Sequence, residues 1–546
     1  MSALFCAYLG PAAGAKAWEA ALGPAAVIDR KDITPSGVTR AVARLSSMAA
    51  PEGDNWVRLD PTDRGLAVRV PPVTPQPCYI VNAFGGQMLT DDLRLCGSIT
   101  GAVLDPVGVY AMLMWGQAPA PHTILRGVTR LAGGHRFDVD GSTMTATRDF
   151  SPDPDPTSDM EVAERRVEAV LDRVMESIPA NAMLFFSGGV DSALLAARAS
   201  ALGRDDIQLL NYAFGADDPE ATHALRVAAH LRLACERVTH DPASMVHVLD
   251  RLATDYAFPF GDLSTLPTNL LVHAALGKSQ PVAVVEGTGA DGAFGMGAMY
   301  PRWRTIFALP APVRLAGGAA YDWLRLWRHD FYLERVLRFV RKSTRLGIRP
   351  AVLAQNSLDD IAFRLPQGSQ VEEPAELVSP EERLSLLDLA WVCAGRMAPK
   401  TLDPLRLRGV QPIYPYLEPA LVQVSTSLSW DVKCGGGEEK GLLKSLLARS
   451  LPKALVYRQK SGFTPPYRTT LASAPLQAFM HDIVLAPHNP VLEFCDLATV
   501  RGLVERAGSG AHLSAGAVDF LWCLTFTSGW LHQLPAASAA QQRSVA

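Results

Sequence analysis

The chain has eight cysteines, scattered from Cys6 to Cys523, and no Cys-x-x-Cys pair, so neither a zinc site nor a disulfide framework is signalled. It carries no strong charge bias. A formal net charge of -4 argues against a general nucleic-acid binder, which would normally be basic. It also lacks an apolar run long enough to span a membrane, and a basic segment followed by an apolar core and cleavage site. These absences give the expectation of a reduced, cytoplasmic protein. A Walker A loop is missing as well, since Gly-x-x-x-x-Gly-Lys-[Ser/Thr] finds no match. What remains is a 546-residue chain, roughly two to four domains. Its 48% hydrophobic and 19% charged residues describe a folded globular protein and exclude a disordered one.

The pattern changes once along the chain. Residues 1–150 read as β-rich with short helices; strand-like runs include Ala3 to Leu9, Trp56 to Leu59, Leu66 to Val70 and Cys78 to Ala83. Pro152, Pro154 and Pro156 then fall within eight residues, which resists helix and sheet and marks a linker. Beyond it, Ser158 or Asp159 can cap an amphipathic helix from Met160 to Ser177. Apolar strands at Met183–Phe186, Ile207–Tyr212 and Val282–Val285 alternate with helices near Ser192–Ala201, Ala221–Leu231 and Pro242–Ala253. Short buried strands separated by helices imply an α/β fold with a doubly wound parallel sheet, whose ligand crevice lies at the strand carboxyl ends. Helical segments dominate from about residue 300.

Ser187-Gly188-Gly189-Val190-Asp191-Ser192 follows the first of these strands and opens a helix. Two glycines let the backbone approach an anion, and the N–H groups of the turn and helix start point at it. Ser187 and Ser192 add hydroxyls, and Asp191 offers a carboxylate to a hard cation. The run resembles the pyrophosphate loop of ATP pyrophosphatases, which split ATP between its α and β phosphates to adenylate a substrate.

The likeness extends to the asparagine synthetase family. Gly261-Asp262 with Ser264-Thr265-Leu266-Pro267-Thr268 is similar to its Gly-Asp-x-Ser-x-Leu-Pro segment. Glu286-Gly287-Thr288-Gly289-Ala290-Asp291 parallels its second loop, Ser-Gly-Glu-Gly-Ala-Asp. Pro415-Tyr416-Leu417-Glu418 and Lys460-Ser461-Gly462-Phe463 follow in the family's order, and Gly133-Gly134-His135 matches a turn of its N-terminal domain. The resemblance implies a glutaminase-like (Ntn-type) domain over 1–150 and an ATP pyrophosphatase domain over 159–535. It implies ATP held by Phe185, Ser187, Gly188, Gly189, Asp191, Ser192, Phe214, Glu286, Gly287 and Lys460, with Mg²⁺ on Asp191 and Asp291. By resemblance, Asp191, Asp291 and Lys460 are the catalytic residues, and Lys460 stabilises charge at the α-phosphate. Basic clusters at Arg302-Trp303-Arg304 and Arg325-Leu326-Trp327-Arg328-His329 are read as amphipathic helix faces, with binding of a peptide or acidic partner as the alternative.

The departures from the family pattern narrow the reading. Glutamine-hydrolysing members need a cysteine directly after the initiator methionine, where this chain reads Met1-Ser2-Ala3-Leu4-Phe5-Cys6. The N-terminal domain is therefore expected to be vestigial, and another amine must attack the acyl-adenylate. Two branches of the family work that way, β-lactam synthetases and lasso peptide cyclases. The former use a tyrosine between the loop glycines, paired with a glutamate. Here Thr288 and Gln411 stand at those positions. A threonine hydroxyl has no useful acidity near pH 7, so the expected reaction is lasso cyclisation, joining a peptide's N-terminal amine to an Asp or Glu side chain. The alternatives are a β-lactam synthetase-like small-molecule cyclase and an amidotransferase without its own glutaminase. The expected partners are a ribosomal precursor peptide, a leader peptidase and a leader-binding protein. Incubation with glutamine is expected to release no glutamate; release that disappears in a Ser2→Ala or Cys6→Ala variant would overturn the vestigial assignment.

Overall fold

The computed structural model describes residues 5–22, 27–44, 56–150, 157–239, 244–278, 280–295, 305–306, 308–325, 337, 340, 385–386, 388–435, 438–458 and 466–534. The proline run at 151–156, Pro242, the Arg302–Arg304 cluster, residues 326–329 and the loop carrying Lys460 lie outside them.

Among the described residues the N-terminal part has ten strands: β1 (Cys6–Gly10), β2 (Val27–Ile33), β3 (Thr39–Arg44), β4 (Arg58–Pro61), β5 (Leu66–Val70), β6 (Tyr79–Ala83), β7 (Gly86–Thr90), β8 (Val128–Arg130), β9 (His135–Val139) and β10 (Met144–Arg148). They form two antiparallel sheets, ordered β2-β3-β1-β7-β6-β8 and β10-β9-β5-β4. Alternation along β1 explains its unbroken apolar sequence. Ala7 and Leu9 join Val68, Val70 and Phe137 in the layer between the sheets, while Cys6 and Tyr8 pack with Trp18 and Leu22 of helix Ala12–Leu22 on the outer face. The β6–β7 hairpin turns at Phe84 (φ +57°) and Gly85 (φ +74°), a two-residue loop with both φ positive, which suits the twist of the strands.

The second part is built on a parallel sheet. Its strands are β11 (Ala182–Phe185), β12 (Gln208–Ala213), β13 (Cys235–Thr239), β14 (Ala283–Val285) and β15 (Gln411–Ile413), in the order β13-β12-β11-β14-β15. The chain winds outward from β11 to β13, then returns to β14 on the other side of β11. That reversal opens a crevice at the carboxyl ends of β11 and β14. Ala182, Leu184, Val285 and Ile413 face one apolar layer with helices Met160–Ser177 and Val190–Ala201. Met183, Phe185, Leu210 and Val284 face another with Leu271 and Val272 of helix Thr265–Lys278 and Leu405 of helix Pro399–Arg406.

Asp159, not Ser158, caps the helix Met160–Ser177, accepting from the Val162 N–H at 3.0 Å. The sheet has two strands beyond the three read from sequence, at its two edges. The helix expected near Pro242–Ala253 is two short pieces, Met245–Leu249 and Leu252–Asp255, separated by Asp250 and Arg251.

The two parts share a core. Val109 and Met112 of helix Pro106–Trp115 cluster with Leu521, Leu524 and Phe526 of helix Ala515–His532. A buried ion triad ties them as well. Arg406 donates from Nη1 to Asp91 at 2.7 Å and from Nε to Asp403 at 2.7 Å. Asp91 also accepts from Gln76 at 2.8 Å, and Asp403 from the Ala257 N–H at 2.7 Å. Breaking a buried pair from one side strands a charge and typically costs about 3–5 kcal/mol. Arg406→Met is therefore expected to lower unfolding stability by that order in urea titration; an unchanged midpoint would remove the triad from the fold's support.

Candidate active site

β11 ends at Phe185, and the chain turns through Ser187-Gly188-Gly189 into helix Val190–Ala201. Gly188 sits at φ +70°, and a Cβ there would lie 2.6 Å from the Cα of Ala224, on helix Pro219–Leu231. Only glycine fits both the dihedral and the gap. The Ser187 N–H donates to Ser192 Oγ at 3.2 Å, and the Gly189 N–H donates to Ser187 Oγ at 3.3 Å. The loop is thus braced internally. No side chain caps the helix start, so its first N–H groups stay directed at the crevice.

The second loop, Glu286 to Gly289, leaves β14 and enters the short helix Ala290–Phe294. A Cβ on Gly287 would lie 3.3 Å from Asp191 Cβ, so the two loops are in contact. Gly289 (φ +112°) lets the backbone pass Leu417 and Tyr416, and the Tyr416 hydroxyl donates to the Asp191 carbonyl at 2.9 Å.

Asp191 and Asp291 converge on one group. Lys440 Nζ lies 2.7 and 2.8 Å from the two carboxylate oxygens of Asp191 and 2.7 Å from Asp291 Oδ1. Burial works against the lysine's charge, but the two aspartates outweigh it and hold the ammonium well above the usual lysine range. Sequence reading missed Lys440. It sits in a Gly-rich, glutamate-flanked run, Gly435 to Gly441, that reads as a solvated loop.

The remaining candidates separate. Phe185 is buried in the apolar layer under the sheet. Phe214, just past β12, is half-buried edge-on to Tyr212, and its N–H donates to Asp218, which also caps helix Pro219–Leu231. Cys6 is fully buried in β1, where burial pushes its thiol up to about 12 despite a hydrogen bond from Trp18. His135 opens β9 with Nδ1 2.8 Å from the Gly133 carbonyl, in the N-terminal sandwich.

A second polar cluster lies on the β15 side. Glu286 Oε1 accepts from Thr288 Oγ1 at 2.7 Å, and Oε2 from Thr401 Oγ1 at 2.6 Å. The Tyr414 hydroxyl is 2.8 Å from Thr401 Oγ1. Lys400, buried beside them, reaches Asp262 Oδ2 at 3.1 Å and Ser264 Oγ at 2.8 Å. Asp262 sits between the helix start and the lysine. It takes the Ser264 N–H at 2.9 Å, where the chain enters helix Thr265–Lys278, and it pairs with Lys400.

Asp388 is buried behind the second loop, at the start of the π-helix Asp388–Met397; a Cβ on Gly292 would lie 3.0 Å from its Oδ2. Burial, reinforced by Asp291, pushes its carboxyl up to about 7. A carboxyl raised from about 4 binds its proton more tightly in the folded state, so its contribution is present below pH 4 and lost as pH climbs through 7. Replacement by neutral Asn removes that loss. Asp388→Asn is expected to gain stability over the unmutated chain at pH 8 compared with pH 4.5, by an amount on the order of 4 kcal/mol at most, in paired urea titrations. Parallel pH dependences would refute the assignment.

Proteins of Mycobacterium bovis and Mycobacterium tuberculosis, provisionally named asparagine synthetase [glutamine-hydrolyzing], are 24% identical over 507 residues, 87% of this chain and 75% of theirs. Among solved structures, an NH3-dependent NAD synthetase from Campylobacter jejuni matches at 18% identity and a TM-score of 0.19, over 26% of this chain and 62% of its own. An NMN synthetase from Francisella tularensis matches at 14% identity and a TM-score of 0.20, over 45% of this chain and 94% of its own. The family model for asparagine synthase matches residues 161–527, which takes in both Gly loops, Lys440 and Glu286, and the chain belongs to the asparagine synthase family.

Proposed function

We propose that this chain is an ATP-dependent ligase that adenylates a carboxylate and passes the acyl group to an amine, and that its reaction is the closure of a peptide macrolactam. The observation that carries the ligase reading is the convergence of Asp191 and Asp291, from two Gly loops at the sheet's switch point, on a single ammonium. Two facing carboxylates beside an uncapped helix start suit a polyphosphate bound with its cation. The carboxylate pair fits Mg²⁺, which takes one or two carboxylates and completes its shell with phosphate oxygens and water. Asp191 and Asp291 would hold the ion, which neutralises charge on the departing pyrophosphate.

The chain's own residues do the rest. Ser187, Gly188 and Gly189 present hydroxyl and N–H donors to phosphate oxygens. Lys440, paired with Asp191 and Asp291, and Lys460, by its resemblance to the family's late loop, supply positive charge where negative charge builds on the α-phosphate. The substrate carboxylate attacks the α-phosphorus and pyrophosphate leaves; the amine then attacks the acyl carbon, and AMP leaves.

Against ammonia from glutamine stand the missing cysteine after Met1 and the buried, strongly protonated Cys6 thiol; against a β-lactam synthetase-like base stands Thr288 between the loop glycines, its hydroxyl committed to Glu286. We read the two N-terminal sheets as a vestigial glutaminase-like scaffold. The cyclisation reading brings with it a ribosomal precursor peptide, a leader peptidase and a leader-binding protein. No helix among the described residues is long and apolar enough to cross a membrane, and we place the reaction in the cytoplasm.

Incubation with ATP, Mg²⁺ and leader-free core peptides is expected to give AMP and pyrophosphate, with a product lighter than the linear peptide by one water and blocked to N-terminal sequencing. ADP and phosphate as the substrate-dependent products would overturn the ligase mechanism. AMP with a merely hydrolysed peptide would overturn the cyclase reading alone.

A further inference from the structure

The crevice has three stations along the strand order. Phe214 lies at the end of β12, the two Gly loops with Asp191, Lys440 and Asp291 lie between β11 and β14, and Glu286 lies toward β15 with Thr288, Thr401 and Tyr414. The phosphate chemistry proposed above uses the central station; the third enters it only through the family resemblance, which gives Glu286 to ATP.

Glu286 is partly exposed at the carboxyl end of β14. Each of its oxygens accepts one hydroxyl proton, which leaves each a further lone pair. Among the described residues no cationic nitrogen lies within ion-pair distance of it. Lys400, whose charge acts on it, is committed to Asp262 and Ser264. A carboxylate drawn partly out of water and held by neutral donors, with none of the described cations at ion-pair distance, is costly until a cation arrives. It repels a polyphosphate and attracts a cation carrying N–H donors. The loop's order points the same way. Where the family has hydroxyl, glycine, acid, glycine, this chain has Glu286-Gly287-Thr288-Gly289, and the Thr288-to-Glu286 hydrogen bond keeps the exchanged groups side by side.

We infer that Glu286 seats the ammonium group of the acceptor, a primary amine such as a peptide N-terminus, beside the second Gly loop. The assignment rests on the ligase reading and moves Glu286 from the nucleotide, where the family resemblance put it, to the acceptor.

The full chain, titrated calorimetrically, tests it with three probes: glycinamide as the ammonium, glycolamide as its neutral counterpart, and α,β-methylene-ATP. The unmutated chain is expected to bind glycinamide and not glycolamide. Glu286→Gln is expected to weaken glycinamide by at least about tenfold while α,β-methylene-ATP stays within about twofold. Glu286→Asp, which keeps the charge, is expected to retain part of the glycinamide affinity. Equal glycinamide affinity in Glu286→Gln, no glycinamide binding to the unmutated chain, or a loss confined to α,β-methylene-ATP would each overturn the assignment. These titrations involve no turnover, so a chain that forms no AMP yet binds glycinamide through Glu286 sinks the ligase reading and leaves the seat standing.

Discussion

Lys440 meets Asp191 across 249 positions of sequence, and that contact sets the terms for everything around it. Two carboxylates at the head of a parallel sheet repel each other unless a cation stands between them. For one ammonium to reach both, the loops after β11 and β14 must touch, and they do so at Gly287, where little more than a hydrogen fits comfortably. Tyr416 then pins the backbone of Asp191, and Gly289 gives way to Tyr416. The glycines serve the charge pair as much as any ligand. A side chain at either position would push apart the groups whose closeness defines the centre.

The sheet beneath obeys the same economy. Its winding outward through β12 and β13 and back to β14 leaves a gap at one place only, between the two strands that carry the loops. Apolar residues alternate onto two helical layers and fix the register, so the loops inherit their positions from packing on both faces. The chemistry is then sorted by strand: aromatic at β12, ionic at the centre, and a hydroxyl-held carboxylate toward β15.

Much of this could be read from the residues. The Asp159 helix start, the central strands and the Ser187–Ser192 turn are local signals, and each appears where period and capping chemistry put it. What escaped was non-local or weak. β15 is three residues long with Pro412 in its middle, tolerable because it lies at an edge and unrecognisable as a strand on its own. β13 carries exposed charge at Glu236 and Arg237 and has no apolar run. Lys440 carries no local mark of its role, since only folding brings it to two aspartates from distant loops. Glu286 was noticed for its place in a motif, yet that no cation among the described residues reaches it is a property of three dimensions.

The helix Ala515–His532 packs its Leu521, Leu524 and Phe526 into the same cluster as Val109 and Met112 from the first part of the chain, and Arg406 holds Asp91 there. A protein built so cannot shed its N-terminal sheets. Deleting them would uncover an apolar surface and take from the buried Arg406 one of its two carboxylates, whatever chemistry the sheets perform. Selection acting on the second part alone would therefore preserve the first, which serves as one wall of the shared core.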